Sequence, residues 1–387
     1  MKKTGTLAFV LVMMAILAGS VWAAGQSAPA SGTAAKPLVK VNVAVHGNGG
    51  GASAVAVAVE KGFFKEYGID PQVTIVESGP AEMAAMRADT PTLDFGYIGP
   101  GVAWNPIDTS GNSLSFVFFD NLGNSERVLA RKGIFKDANN NGKYDYPELY
   151  DGFRGKTVYI EVGTTPGGWF KNLLAAINEG YAAGDQLWIH CEDSAYLAGY
   201  NAPNSKPENR VLVVNYANSN IPAGMATAGS SAVDIAVAFE PVPSTILKNI
   251  STVEQVADIN TLPKDKVFPA TFVANTNWLK ANPDLAKNCI YAIYKASLYR
   301  AANPDEAMRF SEKLCARPDG TFDAGAYFFP NSSEFREWFA NSSSAGYGYL
   351  RSLYDDRVPS IPQGTTPKSF EQAFDLAYML QAIKELQ

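Results

Sequence analysis

Histidine is almost absent from the chain, with only His46 and His190. A Ser/His/Asp or Cys/His catalytic arrangement would have to use one of these two, and no nucleophile-elbow pattern accompanies either. Cysteine is scarce as well, limited to Cys191, Cys289 and Cys315, so a cysteine-rich metal or redox centre is excluded. His190-Cys191-Glu192-Asp193 offers ligating side chains, but consecutive residues rarely converge on one ion. Positive charge is in deficit, with 32 Lys and Arg against 38 Asp and Glu and a formal net charge of −6. That balance argues against a nucleic-acid partner, which requires a basic footprint. Beyond the first residues no apolar run approaches the ~20 residues that a spanning helix needs.

What is present begins with an export signal. Lys2 and Lys3 precede an almost wholly apolar stretch from Leu7 to Leu17. Small residues follow, and Val21-Trp22-Ala23 places small side chains three positions and one position before a cut after Ala23. The pattern predicts a removable signal peptide over 1–23 and, over the Ala/Gly/Ser/Pro-rich residues 24–37, a flexible leader. Leu17-Ala18-Gly19-Ser20 has the outline of a lipoprotein box with Ser where a lipidated Cys would stand, so a soluble periplasmic product is expected. A chain of 387 residues with 47% hydrophobic content exceeds the usual size of one core, and two domains are expected.

Val39 to Val45 (VKVNVAV) alternates as a strand should. Glycines at 47 and 49–51 follow, then a helical run from Ala52 to Tyr67, a strand over Asp70 to Val76, a helix over 80–88 and strands at Leu93 to Ile98 and Leu114 to Phe119. The pattern restarts with a strand over Thr157 to Val162, a turn at Gly163-Thr164-Thr165-Pro166-Gly167-Gly168 and a helix over Trp169 to Gly180. Further strands are read at Val211 to Asn215 and Val233 to Phe239. Strand, glycine turn, helix, strand predicts an α/β fold with parallel sheets, in one unit before about residue 125 and a second centred on 155–245. The final third is mostly helical.

The order of these elements resembles the nitrate/taurine/alkanesulfonate and thiamine-precursor group of periplasmic binding proteins. Val57 to Ile69 (VAVEKGFFKEYGI) resembles that group's first helix and turn, and Leu93 to Gly101 (LDFGYIGPG) its strand leading to a ligand loop. Phe153 to Val158 followed by Gly163-Thr164-Thr165 resembles the start of its second lobe. Val233 to Val237 with Glu240-Pro241 resembles the strand returning to the hinge. The resemblance implies a two-lobed (type II) periplasmic-binding-protein fold with a ligand cleft between lobes. Lobe 1 would comprise 38–125 plus about 258–387, and lobe 2 about 126–257. It further implies a monomeric, non-enzymatic component of an ABC importer that delivers a small molecule to an inner-membrane permease. The implied ligand is polar or anionic, of the sulfonate, taurine or nitrate kind, with a thiamine-precursor pyrimidine or another aromatic heterocycle as the alternative. A sensor module and a pyrimidine-synthase-like enzyme are the rival readings; the latter class carries a cysteine-rich segment that this chain lacks.

In open parallel sheets, ligands bind outside the carboxyl ends of the strands. Those ends here are His46-Gly47-Asn48, Ser78-Gly79, Gly99-Pro100-Gly101, Asn121, Thr164-Thr165 and Glu240. Glycines there admit close backbone approach, and helix starts offer free N–H groups. Ser53 adds a hydroxyl, and Trp104 and Trp169, in loops or at helix starts, add surfaces for stacking. No lone Arg or Lys stands at a strand end, where a bare oxyanion would be expected to need one.

Two further expectations follow. Asp137 to Glu148 (DANNNGKYDYPE) matches the twelve-residue EF-hand loop, with oxygen ligands at Asp137, Asn139, Asn141, Asp145 and Glu148. The Lys143 carbonyl stands at the seventh position and Gly142 at the sharp turn. A structural Ca2+ is expected, against the plainer alternative of an Asn-Gly turn among surface acids. Residues 284–302 and 304–316 read as successive helices bent at Asn303. If these fold back on each other, Cys289 and Cys315 fall at similar heights, allowing a disulfide; two buried reduced thiols are the alternative.

Overall fold

A computed structural model describes residues 37–386 apart from 77–78, 89, 100–106, 108–113, 124, 194–196, 198–205, 230–231, 264–265, 359–360 and 362–363. The expected signal peptide, with its cut near Ala23, and all but the last residue of the leader lie outside the described residues.

The strands are β1 (Val39–His46), β2 (Ile69–Val76), β3 (Phe95–Ile98), β4 (Leu114–Gly123), β5 (Glu126–Arg131), β6 (Thr157–Ile160), β7 (Trp188–His190), β8 (Arg210–Asn215), β9 (Ile235–Phe239), β10 (Val253–Ala257), β11 (Pro269–Asn275) and β12 (Tyr327–Phe328). The helices are α1 (Gly49–Glu60), α2 (Phe63–Glu66), α3 (Gly79–Arg87), α4 (Tyr146–Phe153), α5 (Thr165–Asn178), α6 (Ile221–Ala226), α7 (Val242–Asn249), α8 (Thr276–Ala281), α9 (Pro283–Ala302), α10 (Pro304–Leu314), α11 (Ser332–Trp338), α12 (Ala345–Arg357), α13 (Phe370–Ala373) and α14 (Ala377–Glu385).

The strands form two sheets, ordered β12-β4-β11-β3-β1-β2 and β10-β5-β9-β6-β8-β7. Each contains a parallel group, β2-β1-β3 in the first and β7-β8-β6-β9 in the second. Next to each group lies one antiparallel strand that has just arrived from the other sheet, β11 in the first and β5 in the second. The chain passes between sheets twice, from β4 into β5 over 123–126 and from β10 into β11 over 257–269.

The sequence explains this layering. β1 buries Val41, Val43 and Val45 completely because it lies between two strands, with helices covering the sheet. β11 (PATFVAN) is buried at every position, as a continuous apolar run in a sheet covered on both faces should be. Phe272 stacks on Phe95 with ring centroids 4.9 Å apart and meets Tyr97 and Phe118 edge-on at 5.8 and 6.0 Å. Burying one such ring contributes roughly 1.5–3 kcal/mol, so this cluster fixes how β3, β4 and β11 register. α1 starts at Asn48, whose side chain accepts from the Gly51 N–H at 2.7 Å, the N-cap arrangement that satisfies a free helix donor.

The expected Cys289–Cys315 bridge is not formed. Both thiols are free and buried, as is Cys191. In the packing, α1 lies against both α9, which carries Cys289, and α10, which Cys315 caps. Cys289 sits within reach of the Asp94 carboxylate, whose charge adds to burial in raising its thiol, whereas Cys315 caps α10 beside Arg317.

Candidate functional site

A cavity of about 330 Å³ opens where the two sheets meet, small enough for a single low-molecular-weight ligand. Eight of the residues expected at strand ends line it together, namely His46, Gly47, Asn48, Gly79, Gly99, Thr164, Thr165 and Glu240. Ser53, Asn121 and Trp169 do not line it. Ser53 is fully buried, and its hydroxyl accepts from Arg300 at 3.0 Å and donates to the Gly50 carbonyl at 3.3 Å. Asn121 is buried on β4 and donates to Asp120. Trp169 is packed into the core at the start of α5. Ser78, Pro100, Gly101 and Trp104 lie outside the described residues.

The walls come from both sheets. β1 ends at His46, and the Gly47-Asn48 turn leads directly into α1. β3 ends beside Gly99, where an added Cβ would stand 2.8 Å from the Thr165 hydroxyl of α5. That distance records how closely the carboxyl end of a first-sheet strand approaches the amino end of a second-sheet helix. Outside the cleft, Lys171 of α5 pairs with Asp356 of α12 at 3.7 Å, and the Asn172 side chain donates to the Lys266 carbonyl at 3.0 Å.

The cleft also contains residues that strand-end reasoning missed. Ser125, Glu126, Phe268 and Ala270 come from the two crossings and the strands they feed; Tyr97, Glu161 and Arg317 complete the polar lining. Only the sheet order reveals that the crossing segments floor the cleft.

Its electrostatics are dominated by carboxylates. His46 Nε2 lies 2.8 Å from Glu82 Oε2. Burial pushes the Glu82 carboxyl up, and His46 partly offsets this. The other Glu82 oxygen has no hydrogen-bond partner among the described residues and rests over Gly96, where a Cβ would stand at only 2.2 Å; glycine is therefore required there. Glu126 is pushed up to about 7, chiefly by burial, with the Ser125 hydroxyl, 2.7 Å from Oε1, acting against the rise. Glu240 is raised by burial, but Arg127 Nη2 at 2.9 Å and the Ser244 hydroxyl at 2.8 Å hold it back. Glu161 accepts the Asn218 N–H at 2.8 Å. Tyr97 and Tyr327 are buried phenols raised well above the ordinary range.

The 137–148 segment forms a tight loop on the second sheet's side of the molecule. Asp137 accepts the N–H groups of Asn141 at 3.1 Å and Gly142 at 2.8 Å. Asn139 and Asn141 each accept an N–H two residues on. Asn140 and Gly142 take positive φ of 55° and 76°, the left-handed region that Asn and Gly enter most readily. Asp145 caps α4 in a reciprocal capping box with Glu148, whose other oxygen accepts the Ala138 N–H at 2.6 Å. Lys143 is exposed. Tyr146 ties the loop to the second crossing by donating to the Thr261 carbonyl at 2.8 Å.

Two sheets, two crossings and a cleft between them define the two-lobed periplasmic-binding-protein fold. Among solved structures, the periplasmic nitrate-binding protein NrtA from Synechocystis PCC 6803 matches with a TM-score of 0.62 at 14% identity, over 90% of this chain and 89% of its own. The periplasmic aliphatic sulphonate binding protein SsuA from Escherichia coli matches with a TM-score of 0.55 at 11% identity, over 87% and 91%. In sequence, the chain is 27% identical over 257 residues to proteins of Brucella abortus and Brucella suis that are named as binding proteins. That match spans 66% of this chain and 66% of each relative. No family model matches the chain.

Proposed function

We propose that the chain is the extracytoplasmic solute-binding component of an ABC importer, which captures a small polar molecule in the cleft and hands it to a membrane permease. The observation that carries the reading is the cleft itself, walled by strand ends and helix starts of both lobes and floored by the two crossings. A structural neighbour from Staphylococcus aureus described as the ligand-binding component of an ABC-type import system, and others described as periplasmic nitrate- and sulphonate-binding proteins, support it. On this reading the chain is exported by the segment ending near Ala23, works as a monomer in the periplasm, and performs no chemistry on its ligand. Lobe closure is taken up in the crossings at 123–126 and 257–269. A thermal-shift screen over sulfonates, nitrate, pyrimidines, flavins and amines, followed by small-angle scattering, tests it. A compound that raises the melting temperature and shrinks the radius of gyration is expected. Failure of every compound that binds to compact the protein overturns closure.

The loop over 137–148 is proposed to hold a structural Ca2+, through the side chains of Asp137, Asn139, Asn141, Asp145 and Glu148 and the Lys143 carbonyl. The spacing of these oxygens around the Gly142 turn supports this. Calorimetry on chelator-treated protein is expected to show saturable Ca2+ binding that Asp137→Ala abolishes. No heat at millimolar Ca2+ overturns it.

A further inference from the structure

We propose that the ligand of this cleft presents a cationic nitrogen, of the ammonium or amidinium kind, to Glu126. The inference rests on the solute-binding reading above and narrows its ligand class.

Among the described residues, three carboxylates line the cavity, those of Glu126, Glu161 and Glu240, against one guanidinium, that of Arg317, which is exposed. The carboxylates are not equivalent. Glu240 is paired with Arg127 and bonded by Ser244. Glu161 receives a backbone N–H. Glu126 is 8% exposed, and the groups that oppose its rise are the Ser125 hydroxyl and its own backbone N–H, with no cation among them. Burying a carboxylate without a counter-charge is costly, so a positive charge brought by the cavity's occupant would be favoured at this wall.

The surroundings reinforce this. Glu126 pairs with Phe239 across β5 and β9, and the Glu240 N–H donates to the neighbouring Ser125 carbonyl at 3.0 Å. The two glutamates therefore sit one step apart on adjacent strands, and Glu240 adds to the negative field at Glu126. Among the described residues, the other titratable and charged groups around Glu126 are Arg127 on its own strand, already engaged by Glu240, and the phenols of Tyr97 on β3 and Tyr327 on β12, both within its electrostatic reach. None of these supplies a free positive charge. An oxyanion placed here would face like charge, whereas a nitrogen cation would neutralise Glu126 and donate to it through a charge-assisted hydrogen bond. Occupied by such a cation, Glu126 ionises, so binding below neutral pH expels a proton from the carboxyl.

Calorimetry on the purified protein tests this with benzamidine, phenethylammonium and putrescine as cations and benzoate, ethanesulfonate and nitrate as anions. At pH 8, at least one cation is expected to bind saturably and at least ten-fold tighter than any of the anions. Between pH 8 and pH 5.5 that affinity falls about ten-fold or more, and at pH 6 the heat depends on the buffer's ionisation enthalpy because a proton is released. Glu126→Gln weakens the cation ten-fold or more, while the pH and buffer measurements on the unaltered protein do not depend on the variant folding. An anion that outcompetes every cation, or absence of saturable binding by any cation of the set, overturns the proposal. If an anion or neutral compound binds and compacts the lobes, the cationic ligand is refuted and the solute-binding reading survives. If nothing in the wider thermal-shift screen binds, both fall.

Discussion

Arg300 of α9 grips Asp120 of β4 with both prongs of its guanidinium, at 3.0 and 2.9 Å, and neither side chain reaches solvent. The same guanidinium donates to the Ser53 hydroxyl of α1 and to the Asp120 carbonyl, and lies 4.2 Å from the centre of the Phe329 ring. One side chain thus ties two helices to the strand that runs into the first crossing. Removing one partner strands a buried charge. Arg300→Met is expected to lower unfolding free energy by about 3–5 kcal/mol in urea titrations, and Arg300→Met combined with Asp120→Leu to recover much of the loss.

Stability should depend on pH through Glu126. Its carboxyl ordinarily titrates at 4.5 and is held at about 7 in the fold. Between those values the folded chain keeps a proton that the unfolded chain has lost. The contribution is fully present below pH 4.5 and is lost as pH rises through 7. Relative to Glu126→Gln, the ligand-free protein is expected to lose on the order of 3 kcal/mol between pH 4 and pH 8, read from urea midpoints at each pH.

Gly96→Ala is expected to disrupt the His46–Glu82 pair. The new methyl would stand 2.2 Å from Glu82 Oε1 and 2.7 Å from the Ala44 methyl, both fully buried. Overpacking of this kind costs about 1–3 kcal/mol. Thermal melts should show the loss. Gly348→Ala in α12, where the added Cβ meets nothing within 4 Å, should instead gain roughly 0.5–1 kcal/mol.

Thiol titration should count three free thiols on the unfolded chain. In the folded protein Cys289 should be slow to react, since burial and Asp94 raise its thiol far above the ordinary range and the thiolate is the reactive form. Reductant should leave the melting temperature unchanged. Fewer than three thiols after unfolding would contradict the structure.

The parallel units, the glycine turns and eight cleft residues were legible in the sequence because each rests on a local signal, whether alternation, a helix start or a turn. Glu126 was not legible. It is an ordinary glutamate opening a strand, and only the pairing of β5 with β9 makes it a buried wall residue beside Glu240. Ser53 failed for the opposite reason. It lies one turn inside a helix that starts at the cleft, but its partner, Arg300, is 247 residues away. The disulfide expectation rested on treating two consecutive helices as a pair, and the packing of both against α1 is a tertiary fact with no local trace. Loop geometry at 137–148 was readable down to the Gly142 turn, since the hydrogen bonds that shape the turn are short-range.

Ser125 and Glu126 sit on one crossing, and Phe268 ends the other. On the proposed closure, whatever occupies the cavity would touch the fulcrum of the molecule as well as its jaws. Near a fulcrum a small displacement is multiplied along the length of each lobe. A ligand of modest size can thus command the separation of distant rims, and a receptor reading those rims would sense occupancy without ever contacting the cargo.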